Sequence, residues 1–199
     1  MQYLSQRLAA KPARTRDDES PRGAVAGGQR ERLLDATEAL VAEKGAGGTT
    51  IEAVVKRAAV SSVTFYEHFR DKEECFVAAF DRAVEELGSE LRETLPAELP
   101  RAERVRAGLA ALLVAIDAEP ARARLCLVEA QKDGPRMRAR YDEALDAAAA
   151  ELSDPLGEAI AGGLAWLLRE RLELGGGGSV QDLLPRMTEV FLAPHPAHG

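Results

Sequence analysis

Cysteine is scarce in this sequence, with only Cys75 and Cys126 among 199 residues. The two lie 51 positions apart and match no CxxC or zinc-ligand spacing, so they do not predict a metal site. They are either small buried apolar residues in a reducing compartment or a redox-sensing pair. The sequence favours the first interpretation, because neither cysteine has the surroundings that stabilise a thiolate.

Aromatic residues and long apolar runs are also few. Aromatics make up 5% of the chain while Ala, Leu and Glu recur, a balance that suits helices and argues against a β-sandwich. No apolar run approaches the roughly 20 residues needed to cross a bilayer. Residues Met1–Arg16 contain no apolar stretch of signal-peptide length. We therefore expect an all-α cytoplasmic protein that has no membrane partner.

An overall basic excess is missing too, since the formal net charge is −7. The charge is nevertheless distributed unevenly. Residues 1–70 carry 11 Lys and Arg against 9 Asp and Glu, whereas residues 71–199 carry 15 against 24. An anionic partner is therefore expected to meet the N-terminal third of the chain.

The chain begins with a segment that has no sustained periodicity. Residues 1–28, rich in Pro, Gly and Arg, are predicted to be a disordered N-terminal arm. From Gln29, apolar residues at helical spacing predict a first helix, which stops at Gly45. The chain is predicted to divide into a first helical region over 29–76, a larger one over 77–193, and a mobile tail over 194–199.

Capping patterns predict the next three helices. Thr49–Glu52 and Asp71–Glu74 each form a capping box, and Ser61 or Ser62 can cap a helix between them. These helices are expected to end near residues 57, 69 and 93.

Prolines separate the helical segments beyond residue 95. They predict helices near 101–118, 120–132, 135–152, 155–173 and 180–192. Pro185 is expected to kink the last helix or to mark its true start. Residues 175–178, all glycine, are expected to form a flexible connector.

The two short helices near residues 50–69 carry the main functional signal. Burial of Val54, Val60, Phe65 and Phe69 against the first helix would leave the outer face of the second short helix free to enter a DNA major groove. That face lacks Lys and Arg, but hydroxyl groups and helix N-termini also contact phosphates. The exposed candidates are Ser61, Ser62, Thr64, Tyr66, Glu67 and His68, with Lys72 on the next helix.

A specific residue pattern extends from Arg30 to Phe76. It comprises Gly45, Thr49-Thr50, Val54, the turn Ala59-Val60-Ser61, and then Thr64-Phe65-Tyr66, His68-Phe69, Lys72-Glu73 and Phe76. On these residues, about a quarter of the chain, the sequence resembles the DNA-binding domain of TetR-family transcriptional regulators. A lone helix-turn-helix pattern is weak evidence, but the Thr-Phe-Tyr-x-His-Phe-x-x-Lys-Glu run at this distance from Thr50 is specific.

The resemblance implies a three-helix, helix-turn-helix DNA-binding domain over 29–76. It also implies a larger helical effector-binding and dimerisation domain over 77–193. By position it implies two sets of residues. Those that face the DNA backbone are Thr50, Tyr66, His68 and Lys72, and those nearest to base edges are Ser62, Val63 and Thr64. The turn residue Ser61 completes the predicted DNA-binding set.

Two residues depart from the family pattern. Ala59 stands where glycine is usual, so the turn must either avoid a positive φ or tolerate strain. Val63 replaces a common glycine or basic residue, and its methyl groups are suited to packing on a thymine methyl.

The C-terminal helices supply candidates for an effector pocket and a dimer interface. The apolar pocket candidates, each equally interpretable as plain core, are Leu112, Leu113, Ile116, Leu125, Val128, Met137 and Tyr141. The segment 159–168 is apolar around most of its circumference and contains small residues, which favours either an ordinary core helix or a four-helix subunit interface. The interface candidates are Ile160, Gly163, Leu164, Leu167, Val190 and Phe191.

Together these observations predict a sequence-specific DNA-binding transcriptional regulator, a repressor released by a small-molecule effector. As a homodimer it would place two reading helices about one DNA turn apart on a palindromic operator. We expect no cofactor, metal or catalytic residue, because the sequence contains no P-loop, dinucleotide fingerprint, HExxH or nucleophile elbow. The alternatives are a helical adaptor that has lost DNA binding and an enzyme on a helical scaffold.

Overall fold

The structure is a computed structural model that describes residues 21–94, 99–151, 157–174 and 179–192. Within these ranges the chain forms helices and turns without any strand, which confirms the predicted all-α class. The helices are α1 (Pro21–Gly48), α2 (Ile51–Ala58), α3 (Ser62–His68), α4 (Lys72–Thr94), α5 (Arg101–Ala118), α6 (Pro120–Leu127), α7 (Pro135–Glu151), α8 (Gly157–Leu174) and α9 (Leu184–Leu192). Two 3-10 turns, Glu129–Gln131 and Val180–Leu183, precede α7 and α9. Of the helices described, none is long and apolar enough to span a membrane.

Helix α1 begins earlier than the sequence predicted. Residues 21–28 were expected in a disordered arm but are helical, while residues 1–20 lie outside the described residues. Pro21 suits a first helical turn, where its missing N–H costs nothing. Gly27 and Gly28 are exposed. The helix continues through them because extending a helix that is already packed from Leu33 onward costs less free energy than nucleating a new one.

The regular part of α1 stops at Gly45, as predicted, where φ is 74° and the helix breaks before the short turn that ends at Gly48. The following cap differs by one residue from the predicted Thr49–Glu52 box. Thr49 is buried and donates its hydroxyl to the Gly45 carbonyl at 2.9 Å. Thr50 therefore caps α2, and its hydroxyl oxygen accepts the Ala53 N–H at 3.2 Å.

The turn between α2 and α3 places Ala59 at a positive φ, the strained of the two alternatives that the sequence left open. Ala59 has φ of 53° and ψ of 47°, in the left-handed region. Its N–H and that of Val60 bond to the carbonyls of Lys56 and Val55, at 3.4 and 3.1 Å. This closes α2 as a glycine would, at a steric cost of about 1–2 kcal/mol for a residue with a Cβ.

Side-chain caps fix the starts of α3 and α4. Ser61, one of the two serines predicted, accepts the Thr64 N–H at 3.0 Å. Asp71 accepts the Glu74 N–H at 2.7 Å, as its capping box predicted. The Glu74 carboxylate turns back to the Arg70 N–H at 2.7 Å.

A first hydrophobic core holds α1–α4 together. It is built on Leu33, Leu34 and Val41 of α1, which lie among residues of α2, α3 and α4. The same core continues across the predicted boundary at residue 76 to Leu125 of α6 and Met137 of α7. The N-terminal helices therefore rest on the C-terminal ones through shared apolar packing.

A second core lies between α5, α6, α8 and α9. It contains Leu113, Ala123, Leu168 and Met187, all buried. Helix α6 separates the two cores, because Ala123 lies in the second while Leu125 lies in the first. Pro185 stands in the first turn of α9 and so marks the true start of that helix.

Both cysteines are unlinked and have protonated thiols at neutral pH. Burial raises the pKa of Cys75 to about 11, although its sulfur lies 3.2 Å from the Thr37 hydroxyl. Burial also raises the pKa of Cys126 to about 12. These surroundings favour packing residues over a redox-sensing pair, because the reactive form is the thiolate.

The strained turn gives a stability prediction. Ala59→Gly is expected to raise the free energy of unfolding by about 1 kcal/mol, because glycine adopts the left-handed region without a Cβ penalty. Urea denaturation followed by circular dichroism measures the change. The matched control is Ala139→Gly on the exposed side of α7, where the same substitution should lower stability by about 1 kcal/mol. A loss of stability in both variants would contradict the strain argument.

Candidate nucleic-acid interface

Helix α3 is anchored by one side and exposed on the other. Phe65 and Phe69 are 0% and 3% exposed and belong to the first core. Val63 and Tyr66 are 70% and 59% exposed, so Tyr66 is not a core residue. The Tyr66 ring meets Phe65 edge-on, with centroids 5.5 Å apart. An apolar and an aromatic side chain thus stand on the outer face of a helix whose inner face is locked.

The hydroxyl residues at the start of α3 have different environments. Ser62 is exposed and lies beside Val63. Ser61 and Thr64 face each other, with 3.0 Å between their hydroxyl oxygens, and Ser61 also accepts the Thr64 N–H. Ser61 and Thr64 therefore stabilise the first turn, and Ser62 remains the exposed hydroxyl nearest to Val63.

Thr50 and Lys72 flank α3. Thr50 is exposed at the N-terminus of α2, where its hydroxyl serves as the cap. Lys72 is half-buried, and its ammonium donates to the Ala46 carbonyl at 2.9 Å. An ammonium has three N–H donors, so one bond to a carbonyl is compatible with a second contact to a phosphate.

His68 is half-buried at the end of α3 and has a pKa lowered from the ordinary value of 6.5. Burial is the largest cause, and the positive charge of Arg30 acts in the same direction, while Glu67 opposes it. A neutral imidazole still has one N–H donor for an anion.

Arg30 is a residue of this surface that the sequence did not single out. Its guanidinium lies 5.6 Å from the centroid of the Phe69 ring, which places a cation beside α3. No spacing along the chain relates position 30 to position 69. The contact exists because α1 packs against α3.

The candidate effector residues are divided between the two cores. Leu112 and Ile116 belong to the second core, whereas Leu125, Met137 and Tyr141 belong to the first, and Leu113 is also in the second. Val128 is fully buried just after α6. These side chains pack on the two sides of α6, and the effector pocket stays a prediction.

A cleft of about 260 Å³ lies instead between α1, α4 and α6, and it is polar. Arg82 lines it and pairs with Glu31 at 2.9 Å and Asp35 at 2.7 Å. Arg122 reaches Glu86 at 2.8 Å from the opposite wall. These charged walls differ from the apolar lining that the sequence predicted for an effector pocket.

The dimer candidates divide between the inside and the outside of the chain. Ile160 is buried in the second core and Leu164 is partly buried against it, so neither is fully exposed on the surface of the chain. Gly163 and Val190 are exposed and Leu167 is half-buried. Phe191 lies in α9, but its side chain is outside the described part of the chain.

Trp166 is an exposed aromatic residue that was not among the predicted interface residues, although it lies within the apolar segment 159–168. Its side chain is 49% exposed on α8, and Val190 on α9 is 52% exposed. Each helix also buries a residue in the second core, Leu168 in α8 and Met187 in α9. Trp166 and Val190 therefore remain on the outer sides of the two helices.

The features of α2 and α3 define a helix-turn-helix protein. Its exposed short helix α3 is capped by a hydroxyl, is held in place by two buried phenylalanines and follows another short helix, α2.

Comparison with known proteins agrees with this assignment. Residues 33–79 match the family model described as bacterial regulatory proteins, tetR family. The chain is 27% identical over 119 residues to the HTH-type transcriptional activator FasR of Mycolicibacterium smegmatis, a match that covers 60% of this chain and 54% of the relative. The chain thus spans about half the length of that curated relative.

Two solved structures are similar in fold. The fatty acid degradation regulator FadR from Bacillus halodurans has a TM-score of 0.73 and 15% identity, with 85% of this chain and 97% of that one covered. The transcriptional regulator FadR from Bacillus subtilis, solved in complex with stearoyl-CoA, has a TM-score of 0.71 and 14% identity, with 83% and 99% covered. Residues 33–79 therefore match the tetR-family domain, and the described helices have the fold of these two regulators.

The environment of His68 predicts how its titration responds to neighbouring charges. Arg30→Met removes the positive charge and should raise the His68 pKa, whereas Glu67→Gln removes a negative charge and should lower it further. NMR titration of the imidazole measures both shifts, with the signal assigned by its loss in His68→Gln. Shifts in the same direction for the two variants would contradict the electrostatic account.

Proposed function

We propose that this protein is a TetR-family regulator that binds a palindromic operator as a homodimer and represses transcription until a small-molecule effector releases it. The observation that carries the proposal is the outer face of α3. Val63 and Tyr66 are exposed there, while Phe65 and Phe69 hold the helix in place from behind. A rigid helix with an exposed polar and methyl-bearing face is suited to the major groove.

Each half-site would be read mainly by uncharged groups. Ser62 and Val63 would meet base edges, and the Val63 methyl groups would favour a thymine. Tyr66, His68 and Lys72 would contact phosphates and fix the position of the helix. Specificity then depends on shape and hydroxyl contacts more than on charge, in keeping with the small positive excess of the N-terminal third.

The homodimer would form through the outer sides of α8 and α9. Trp166 and Val190 are large apolar side chains about half exposed on these helices, and Gly163 on α8 would let a partner helix approach closely. A two-fold axis beside this surface would present two copies of α3 to the same face of a duplex.

The effector would act through α6, the helix that separates the two cores and also packs on α1. A ligand that enters beside α6 must displace it, and the displacement would change the separation of the two α3 helices. Long-chain acyl-CoA is the first class to test, because the similar FadR structure from Bacillus subtilis contains stearoyl-CoA.

Selection of bound fragments from random DNA, followed by footprinting, tests the proposed function. We expect an inverted repeat with half-sites about one helical turn apart. Tyr66→Phe keeps the ring and removes the hydroxyl, so operator binding should weaken by roughly 1.5 kcal/mol or more per half-site if that hydroxyl bonds a phosphate. Recovery of no common sequence would contradict specific DNA binding and leave the helical adaptor.

Controls separate the individual parts of the proposal. Ser89→Ala removes a hydroxyl from α4, away from α3, and should leave operator affinity unchanged. Stearoyl-CoA added to the complex should release the operator if acyl-CoA is the effector class. The curated relative is named an activator, so a reporter with the operator in its promoter decides the direction. Output that falls when the protein is present supports repression, and output that rises contradicts it.

The proposed dimer gives a further prediction. Trp166→Glu should convert the protein to monomers in sedimentation experiments, because a charge would be buried at the subunit interface. Val114→Glu on α5 is the matched control, since Val114 is 52% exposed. A Trp166→Glu protein that remains dimeric would contradict this interface.

A further inference from the structure

The carboxylate of Glu129 is buried at the junction between the two ends of the chain. Glu129 belongs to the 3-10 turn after α6 and is 4% exposed. Its Oε2 accepts the N–H of Ala46 at 2.9 Å, although 83 residues separate the two. The left-handed Gly45 makes this approach possible, because a Cβ there would lie 3.1 Å from the same oxygen.

The Ala46 peptide group is held from both sides. Glu129 accepts its N–H, and the Lys72 ammonium donates to its carbonyl at 2.9 Å. Ala46 directly follows the break of α1 at Gly45 and precedes the Thr50 cap of α2, and Lys72 is the first residue of α4 after α3. Two consecutive hydrogen bonds therefore connect Glu129 to both sides of the helix-turn-helix.

Glu129 is also tied to α8 through two cations. Lys132 and Arg124 lie 3.4 and 3.7 Å from its Oε1. Lys132 continues to Glu173 of α8 at 2.9 Å, and Arg124 donates to the Leu172 carbonyl at 3.2 Å. A buried carboxylate needs such compensation, and here the compensating groups are anchored on the helix proposed for dimerisation.

We infer that Glu129 is a positioning residue for the DNA-binding helices, acting through Ala46 and Lys72. Any displacement of α6 and the 3-10 turn moves Glu129, the acceptor of the Ala46 N–H. The turn that leads into α2 would then move, and so would Lys72, which is bonded to the Ala46 carbonyl. This inference rests on the proposed function and names the contact through which the C-terminal helices would control operator binding.

Hydrogen exchange on the protein without DNA tests the contact itself. Glu129→Leu removes the acceptor and should speed exchange of the amides of residues 46–50 at least tenfold, whereas Glu129→Gln keeps an oxygen for Ala46 and should speed it less. Glu129→Asp keeps the charge but shortens the side chain, and it serves as the test if the leucine variant does not fold. It should also speed exchange at residues 46–50 more than Glu129→Gln.

The control is a carboxylate that caps a turn within the C-terminal helices. Asp117 accepts the Val180 N–H at 3.1 Å and also bonds the Ser179 hydroxyl. Asp117→Leu should destabilise the chain without selectively speeding exchange at residues 46–50. Equal acceleration there in the Glu129 and Asp117 variants would overturn the inference, because general loosening would then explain both.

Operator affinity gives the second measurement, on the duplex recovered by selection. Glu129→Leu, or Glu129→Asp in its place, should weaken operator binding about tenfold. Glu129→Gln should retain most of the parent's affinity. Asp117→Leu should leave the affinity within twofold of the parent's. Unchanged affinity in a Glu129 variant whose 46–50 amides exchange faster would overturn the positioning role. Failure of the parent protein to select any sequence would instead refute the proposed function, and the exchange result would still decide whether Glu129 fixes the turn.

Discussion

The burial of Phe65 and Phe69 in the first core is the interaction on which the proposed DNA-binding surface depends. A helix of seven residues is too short to persist alone in water, since its few internal hydrogen bonds do not offset the cost of nucleation. Packing of these two rings supplies that stability and also sets the rotation of α3. Because Phe65 and Phe69 fix the inner side of α3, Val63 and Tyr66 lie on its outer side and are exposed.

The same packing connects the N-terminal helices to the rest of the chain. The first core does not end with α4 but includes Leu125 and Met137, so α6 and α7 form part of the support for α1. Ion pairs reinforce this contact, among them Arg140 with Asp81 at 2.5 Å. A regulator benefits from such continuity, because a ligand can shift DNA binding only if it alters packing that the reading helices share.

Local sequence signals predicted the helix-turn-helix and its caps well. The serine and aspartate at positions 61 and 71 cap α3 and α4 as expected, because capping depends on residues within one turn of each other. The prediction was less accurate where packing competed with local preference. Thr49 was expected to cap α2, but its burial diverts the hydroxyl to Gly45, and the cap moves to Thr50.

The sequence by itself determined the helical class, the position of the short exposed helix α3 and most helix starts, since spacing, prolines and caps act over a few residues. Only the tertiary structure decided which side of each C-terminal helix faces inward. Ile160 and Trp166 lie in one apolar segment, yet one is buried in the second core and the other is exposed. Contacts such as Glu129 with Ala46 likewise depend on how distant helices pack, which no local spacing encodes.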